Sequence, residues 1–269
     1  MAKKLSAFTI AATYVGTVVG AGFATGQEVF QFFVAFGLWG FLGIALASGI
    51  FIFFGISVME LGHKLKAKSH LPVIQAAGGR MTSTIIDIIM TFFLFGALVS
   101  MGAGAGAVYV EQFGLPALWG SLLLIVLSLA TVLLGVSRVI DSISFVAPVL
   151  LTSVLGLSLY TIVTNPDAFL ANLAWSNPAA AAISPWPLAA LLYASYNLIL
   201  TVAVLAPLGT MSDRRSLHRG AIWGGLALGL GILSIAAAVL TLAPRVTSFE
   251  VPMVAIAGSI SPLARMAFS

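Results

Sequence analysis

The residue best placed to do chemistry in this chain is Glu28, a carboxylate inside a long apolar segment. It follows by two positions the last of four closely spaced glycines, which are Gly16, Gly20, Gly22 and Gly26. A carboxylate within a membrane segment is costly and by default indicates a functional site, where it carries a proton or meets a cationic group. The alternative is a structural role, in which Glu28 opens a helix and stabilises the helix dipole by about 0.3–1 kcal/mol.

The four glycines allow two interpretations. A continuous helix over 6–36 would measure about 46 Å, whereas the hydrocarbon core is about 30 Å thick. Each interior glycine also costs about 1 kcal/mol of helix propensity relative to alanine. We therefore predict a break within Gly16–Gly26, which is tolerable only beside a polar cavity or protein. The alternative is that Gly16 and Gly20 form a small-xxx-small face for helix packing.

A second polar group, Ser195, Tyr196 and Asn197, lies in the middle of another apolar run. Prolines flank this run at Pro185, Pro187 and Pro207. Asparagine is costly in lipid unless it faces a cavity or a partner, and an interhelical hydrogen bond of about 0.6 kcal/mol is the simpler alternative. Two interrupted helices, each opening one half of a chain, are typical of transporters built from inverted repeats.

The elements that must position these groups are membrane helices. Apolar residues make up 60% of the 269 positions and charged residues 7%, against about 25% charged in soluble proteins. The composition predicts an all-α, polytopic membrane helix bundle, and its net charge of +4 does not indicate nucleic-acid binding, because the cations lie in loops where they face anionic lipid. Seven complete spans are predicted at 6–36, 38–61, 83–112, 117–135, 139–163, 186–208 and 220–243, with an eighth beginning near Val251.

The basic residues predict the orientation. With the N-terminus inside, the two outer positives are Arg245 and Arg265, and the ten inner ones are Lys3, Lys4, Lys64, Lys66, Lys68, Arg80, Arg138, Arg214, Arg215 and Arg219. By the positive-inside rule we expect a multi-pass protein of the cell inner (plasma) membrane with a cytoplasmic N-terminus. The two long connections, 62–82 and 164–185, then lie on opposite sides.

The string from Tyr14 to Glu28, YVGTVVGAGFATGQE, resembles the first helix of YkvI-type membrane proteins, which are relatives of the amino acid–polyamine–organocation (APC) superfamily. The resemblance implies a LeuT-like inverted-repeat transporter fold, in which five helices are repeated as five inverted helices and the first and sixth are unwound. It divides a single transmembrane domain, 1–269, into a first repeat at 1–163 and an incomplete second repeat at 185–269. The expected fold is thus truncated in the eighth helix.

The resemblance also implies which residues line a substrate site. The first-helix set is Gly16, Val19, Gly20, Ala21, Gly22, Phe23, Gly26 and Glu28, and the sixth-helix set is Ser195, Tyr196 and Asn197. No cofactor is expected beyond a coupling ion, Na⁺ or H⁺, and the metal site and the oligomeric state stay unassigned. If both sets face one cavity, they must approach each other near mid-membrane, with Glu28 bordering the cavity rather than lipid.

The residues then favour a secondary active transporter for an amino acid or a similar small organic zwitterion or cation, working by alternating access around broken helices 1 and 6. Half-helix N-termini suit a carboxylate, unwound carbonyls suit a cation, and Glu28 would repel a purely anionic ligand. The alternative is a non-transporting membrane scaffold or sensor. We do not expect an enzyme, because His63, His70 and His218 fall in separate loops and form no zinc or Ser-His-Asp pattern.

The orientation can be tested by thiol labelling, since the chain has no cysteine. Cysteines introduced as Ser69→Cys and Ser216→Cys should react only from the cytoplasmic side, and Asn172→Cys only from the outside. Labelling of Asn172→Cys and Ser216→Cys from the same face would contradict the orientation.

Overall fold

The computed structural model describes residues 4–20, 23, 25–248 and 252–260, and that part of the chain consists of helices, turns and loops without a strand. In chain order the helices are α1 (Ala7–Val18), α2 (Gln27–Phe32), α3 (Leu38–Leu65), α4 (Leu71–Phe113), α5 (Ala117–Leu133), α6 (Val136–Thr164), α7 (Pro166–Asn172), α8 (Trp186–Leu208), α9 (Arg214–Leu240) and α10 (Pro252–Ile260). Short 3-10 helices lie at Val34–Phe36, Pro178–Ala180 and Arg245–Ser248.

Five of the described helices, α3, α4, α6, α8 and α9, are long and apolar enough to cross a membrane. Helix α1, with 12 residues, and α5, with 17, are apolar but shorter. Side chains such as Phe92 and Leu133, on α4 and α5, are more than 70% exposed. Such exposure of large apolar residues is expected where a helix faces lipid, and it supports the prediction of a multi-pass membrane protein.

Two predicted boundaries were wrong. The segment 62–82 is largely helical, because α4 begins at Leu71 and runs for 43 residues. Its polar first turns lower the hydropathy without preventing helix formation, and a kink at Gly79 (φ 76°, ψ 177°) separates them from the apolar part. The segment 164–185, predicted as a connection, contains the short helix α7.

Local capping fixes where two of the central helices start. The Ser6 side chain accepts a hydrogen bond from the Thr9 N–H at the start of α1. The Asp213 carboxylate does the same for α9, where it accepts the Ser216 N–H at 3.1 Å and the Ser216 hydroxyl at 3.0 Å. These hydrogen bonds favour the charged form and lower the pKa of Asp213 below its usual range.

The centre of the bundle is formed by α1, α3, α8 and α9. Helix α3 packs extensively against α8 and α9, and α1 packs against α9 and α6. Tyr14 of α1 joins three of these helices: its side chain is fully buried, and its hydroxyl donates to the Phe51 carbonyl of α3 at 2.7 Å. Its ring lies against Gly55 of α3 and Gly224 of α9, where a Cβ would come within 2.7 and 2.8 Å of ring carbons.

This packing predicts that α3 tolerates alanine at one glycine and not at another. In Gly55→Ala the new methyl meets the Tyr14 ring, which cannot retreat because it is buried and hydrogen-bonded. We expect a loss of about 1–3 kcal/mol of unfolding free energy from overpacking, measured by thermal unfolding in detergent. The matched control is Gly49→Ala on the same helix, where no atom lies within 4 Å and alanine should be neutral or stabilising. Equal stability of the two variants would contradict this account of Tyr14.

Candidate functional site

The predicted break in the first span is confirmed. Helix α1 ends at Val18, and Val19 leaves the helical region (φ −70°, ψ 100°). Phe23 and Thr25 are again helical, and helix α2 begins at Gln27, after Gly26 in the left-handed conformation (φ 76°). Ala21 and Gly22, both predicted to line the site, lie outside the described residues. Val19 and Gly20 are half-buried and non-helical.

The glycines on the two sides of Val19 have different roles. Gly16 lies inside α1, and a Cβ there would overlap Ile143 and lie 2.9 Å from the Cβ of Ala147 on α6. Its inclusion in the unwound segment was therefore wrong, and the alternative of helix packing applies to it. Gly20 is different, because a Cβ there would meet, among the described residues that are not its chain neighbours, no atom nearer than the Met101 Cε at 4.0 Å.

Two further predicted site residues take part in packing. Gly26 combines a positive φ with a close approach, since a Cβ would lie 2.8 Å from the Met253 side chain. Phe23 is 1% exposed and points at Gly231 of α9, where a Cβ would meet its ring at 2.7 Å. Both residues thus anchor the interrupted segment against the bundle.

Glu28 connects the interrupted segment to α8. The Tyr196 hydroxyl donates a hydrogen bond to Oε2 of Glu28 at 2.6 Å, across 168 positions of sequence. Both side chains are half-buried. The expected approach of the first helix to 195–197 is therefore confirmed, and Glu28 faces a protein partner. A short hydrogen bond to a carboxylate is of the stronger, charge-assisted kind.

The expected unwinding at Ser195–Asn197 was wrong, since α8 is continuous from Trp186 to Leu208. The Asn197 side chain is buried and donates to the Tyr193 carbonyl one turn earlier, at 2.9 Å. Pro187 lies in the first turn, where a missing N–H is tolerated, and Pro207 lies one residue from the end of α8, well beyond Asn197. Without an interior glycine or proline, nothing in this stretch forces a break.

Two further aromatic rings pack against the ring of Tyr196, whose hydroxyl donates to Glu28. Phe32, Tyr193 and Tyr196 lie pairwise in contact, with centroids 5.5, 5.5 and 5.9 Å apart. Tyr193 is fully buried, and among the described residues neither its hydroxyl nor the Gln27 Oε1 has a hydrogen-bond partner. Buried polar atoms of this kind cost about 1–3 kcal/mol each unless a ligand or water satisfies them.

The residues Gln27, Phe32 and Tyr193 were not identified from the sequence. The signal for Tyr193 was its spacing of three from Tyr196, which places both rings on one face of a helix. Gln27 and Phe32 carry no comparable signal, because their placement depends on where the chain leaves the break.

The two ends of the bundle differ in how the site is covered. At the end near α2, the loop after α7 packs over the chain: the Asn177 N–H donates to the Ala35 carbonyl and the Ala182 N–H to the Gln31 carbonyl, and Trp175 stacks on Phe30. At the opposite end, a cavity of about 910 Å³ opens beside the start of α1. Its polar lining comprises Lys4, Ser6, Thr9, Ser137, Asp141, Ser144, Thr210 and Ser212.

No protein-family model matches the chain, but two curated proteins of Bacillus subtilis (strain 168) do. The uncharacterised membrane protein YkvI is 36% identical over 256 residues, which cover 93% of this chain and 71% of YkvI. The chain belongs to the YkvI family of membrane proteins. The uncharacterised protein YyaD is 28% identical over 243 residues, which cover 90% of this chain and 68% of YyaD.

The fold of this YkvI family member is similar to that of solved transporter structures. A manganese transporter of Eremococcus coleocola superposes with a TM-score of 0.59 at 18% identity, over 97% of this chain. Mhp1, a nucleobase-cation-symport-1 family transporter, superposes with a TM-score of 0.58 at 13% identity, over 98% of this chain. The chain spans 58% and 62% of these two transporters, respectively. Both have the LeuT-like fold, so the fold expected from the first-helix motif is confirmed.

Proposed function

We propose that this protein is a secondary active transporter for an amino acid or a similar small organic zwitterion or cation. The observation that carries the proposal is the hydrogen bond between Glu28 and Tyr196, which joins the interrupted first helix to α8. The solved relatives of the same fold are transporters. A helix interrupted near the midplane is the arrangement by which such folds bind solutes.

The charges around the break favour a cationic group on the substrate. The C-terminal end of α1, which carries partial negative charge, points into the break, and Glu28 follows on the other side of it. An ammonium group would satisfy both. The Gln27 Oε1 and the Tyr193 hydroxyl, which have no partner among the described residues, can accept hydrogen bonds from further N–H groups of the ligand.

The proposed transport cycle follows from the placement of these groups. In the proposed cycle the two inverted repeats are residues 1–163 and 185–269. The proposed site lies between them, with Gly20 and Glu28 from the first repeat and Tyr196 from the second. In the predicted orientation, with a cytoplasmic N-terminus in the plasma membrane, the 910 Å³ cavity at the start of α1 would be the cytoplasmic path to the site. The loop over α2 would be the outer closure.

The test is uptake of radiolabelled amino acids and amines into proteoliposomes that contain the complete gene product. We expect uptake of a cationic or zwitterionic solute, at least about tenfold slower in Glu28→Gln, because the ammonium loses a charge partner of about 1.5–3 kcal/mol. Tyr196→Phe, which keeps the ring and removes the hydroxyl, should lower uptake less. The control is Asp167→Asn, which neutralises an exposed carboxylate on α7 and should leave uptake unchanged.

Three results would contradict the proposal. Full uptake by Glu28→Gln would remove this residue from the site. Uptake of Mn²⁺ alone would overturn the substrate class, although not transport itself. Absence of flux for every solute would favour the scaffold or sensor alternative.

A further inference from the structure

A second cavity, separate from the Glu28 site, lies where α3 ends and the turn between α8 and α9 begins. It has a volume of about 380 Å³ and is lined by His63, Lys66, Lys68 and Thr210. By the charge distribution it belongs to the predicted cytoplasmic end of the bundle. Three of its four lining residues are basic, and none is acidic.

The basic residues nearest the cavity differ in their contacts with carboxylates. Lys64, Arg214 and His218 all contact Glu60, at 3.1, 2.6 and 3.0 Å. Lys66 and Lys68, which line the cavity, form no ion pair within the part of the chain that the structure describes.

The two lysines are held toward the cavity by the backbone between them. Ala67 is 1% exposed and packs with Val73 and with Ala206 of α8, and its N–H donates to the Gly62 carbonyl at 2.9 Å. Lys66 adopts a left-handed conformation (φ 49°), which caps α3. With Ala67 fixed inward, the side chains on both sides of it are exposed.

The opposite wall of the cavity is equally constrained. His63 Nδ1 lies 2.9 Å from the Gly209 carbonyl, which can only accept, so this nitrogen carries the proton. The helices approach closely here, because a Cβ at Gly62 would overlap the Ala206 carbonyl and one at Gly209 the Met59 carbonyl. The cavity therefore has walls that do not need to be organised by a ligand.

We infer that this cavity binds a phosphate group. Two unpaired ammonium groups at one cavity attract an anion, and lysine is a common phosphate ligand as a point charge. Basic pockets at the cytoplasmic ends of membrane helices bind anionic headgroups in this way. The same chemistry serves a phospholipid headgroup and a free phosphate, and experiment separates these two sources. If Lys66 and Lys68 only compensate the helix dipole of α3, the cavity binds neither a phospholipid headgroup nor free phosphate.

The lipid arm is native mass spectrometry of the purified protein with phosphatidylglycerol or phosphatidylcholine of the same acyl chains. We expect phosphatidylglycerol to bind about tenfold more tightly, and the preference to disappear in the double variant Lys66→Gln/Lys68→Gln. Lys64→Gln is the matched control. It removes an exposed lysine at the end of α3, and the charge of this lysine is paired with that of Glu60. The charge-preserving variant Lys66→Arg/Lys68→Arg should keep the preference and shows that the site is folded.

The phosphate arm is thermal unfolding with inorganic phosphate against chloride at equal ionic strength. Stabilisation by phosphate that depends on Lys66 and Lys68, and competition with phosphatidylglycerol, would assign the site to a free phosphate. Lipid binding without this effect would assign it to a headgroup. Equal binding of the two lipids with no phosphate effect would overturn the inference. So would a loss in Lys64→Gln as large as in the double variant, because that result indicates diffuse surface charge.

Discussion

The structure depends on one constraint: a helix that is interrupted within a membrane frees backbone polar groups that hydrocarbon cannot satisfy. Helix α1 ends at Val18, Val19 and Gly20 are non-helical, and helix α2 begins at Gln27. Such a segment is stable only where protein or a polar cavity surrounds it. The bundle supplies that surrounding, because α1 and α2 lie among α3, α8 and α9. Tyr14, one turn before the break, fastens α1 to α3 through its buried hydroxyl.

The same constraint explains why a carboxylate is tolerated beside the break. An isolated charge within a membrane is expensive, and charged residues there face a partner or a cavity. Glu28 has such a partner in Tyr196, whose ring packs against Phe32 and Tyr193. The interrupted helix, the Glu28 carboxylate and the Tyr196 hydroxyl thus form one unit. The break provides a polar environment, and Glu28 provides its negative charge. The proposed preference for a cationic ligand rests on this unit rather than on any single residue.

The sequence was informative where one effect dominates. Four glycines in eleven residues cost several kcal/mol of helix propensity together, so the break was predictable, and so was the position of Glu28 beside it. The motif Tyr14–Glu28 also led to the correct fold. The expected unwinding of α8 at Ser195–Asn197 was wrong, because such residues cost only tenths of a kcal/mol each in a helix and do not force a break. The packing role of Gly16 depends on what α6 places opposite it, which is a tertiary contact that no local pattern reports.

The central claim is that the interruption faces water within the membrane. It is tested most directly by the reaction of Gly20→Cys, in a chain that has no other cysteine, with a charged thiol reagent in proteoliposomes. A Cβ there meets no atom of the described residues beyond its chain neighbours nearer than the Met101 Cε, at 4.0 Å. The reference is Phe53→Cys, at a 64% exposed position of α3 that faces lipid. The account predicts that Gly20→Cys reacts readily while Phe53→Cys reacts only after solubilisation in a denaturing detergent. If Gly20→Cys proves as unreactive in the bilayer as Phe53→Cys, the interruption is sealed in protein, and no solute binds there.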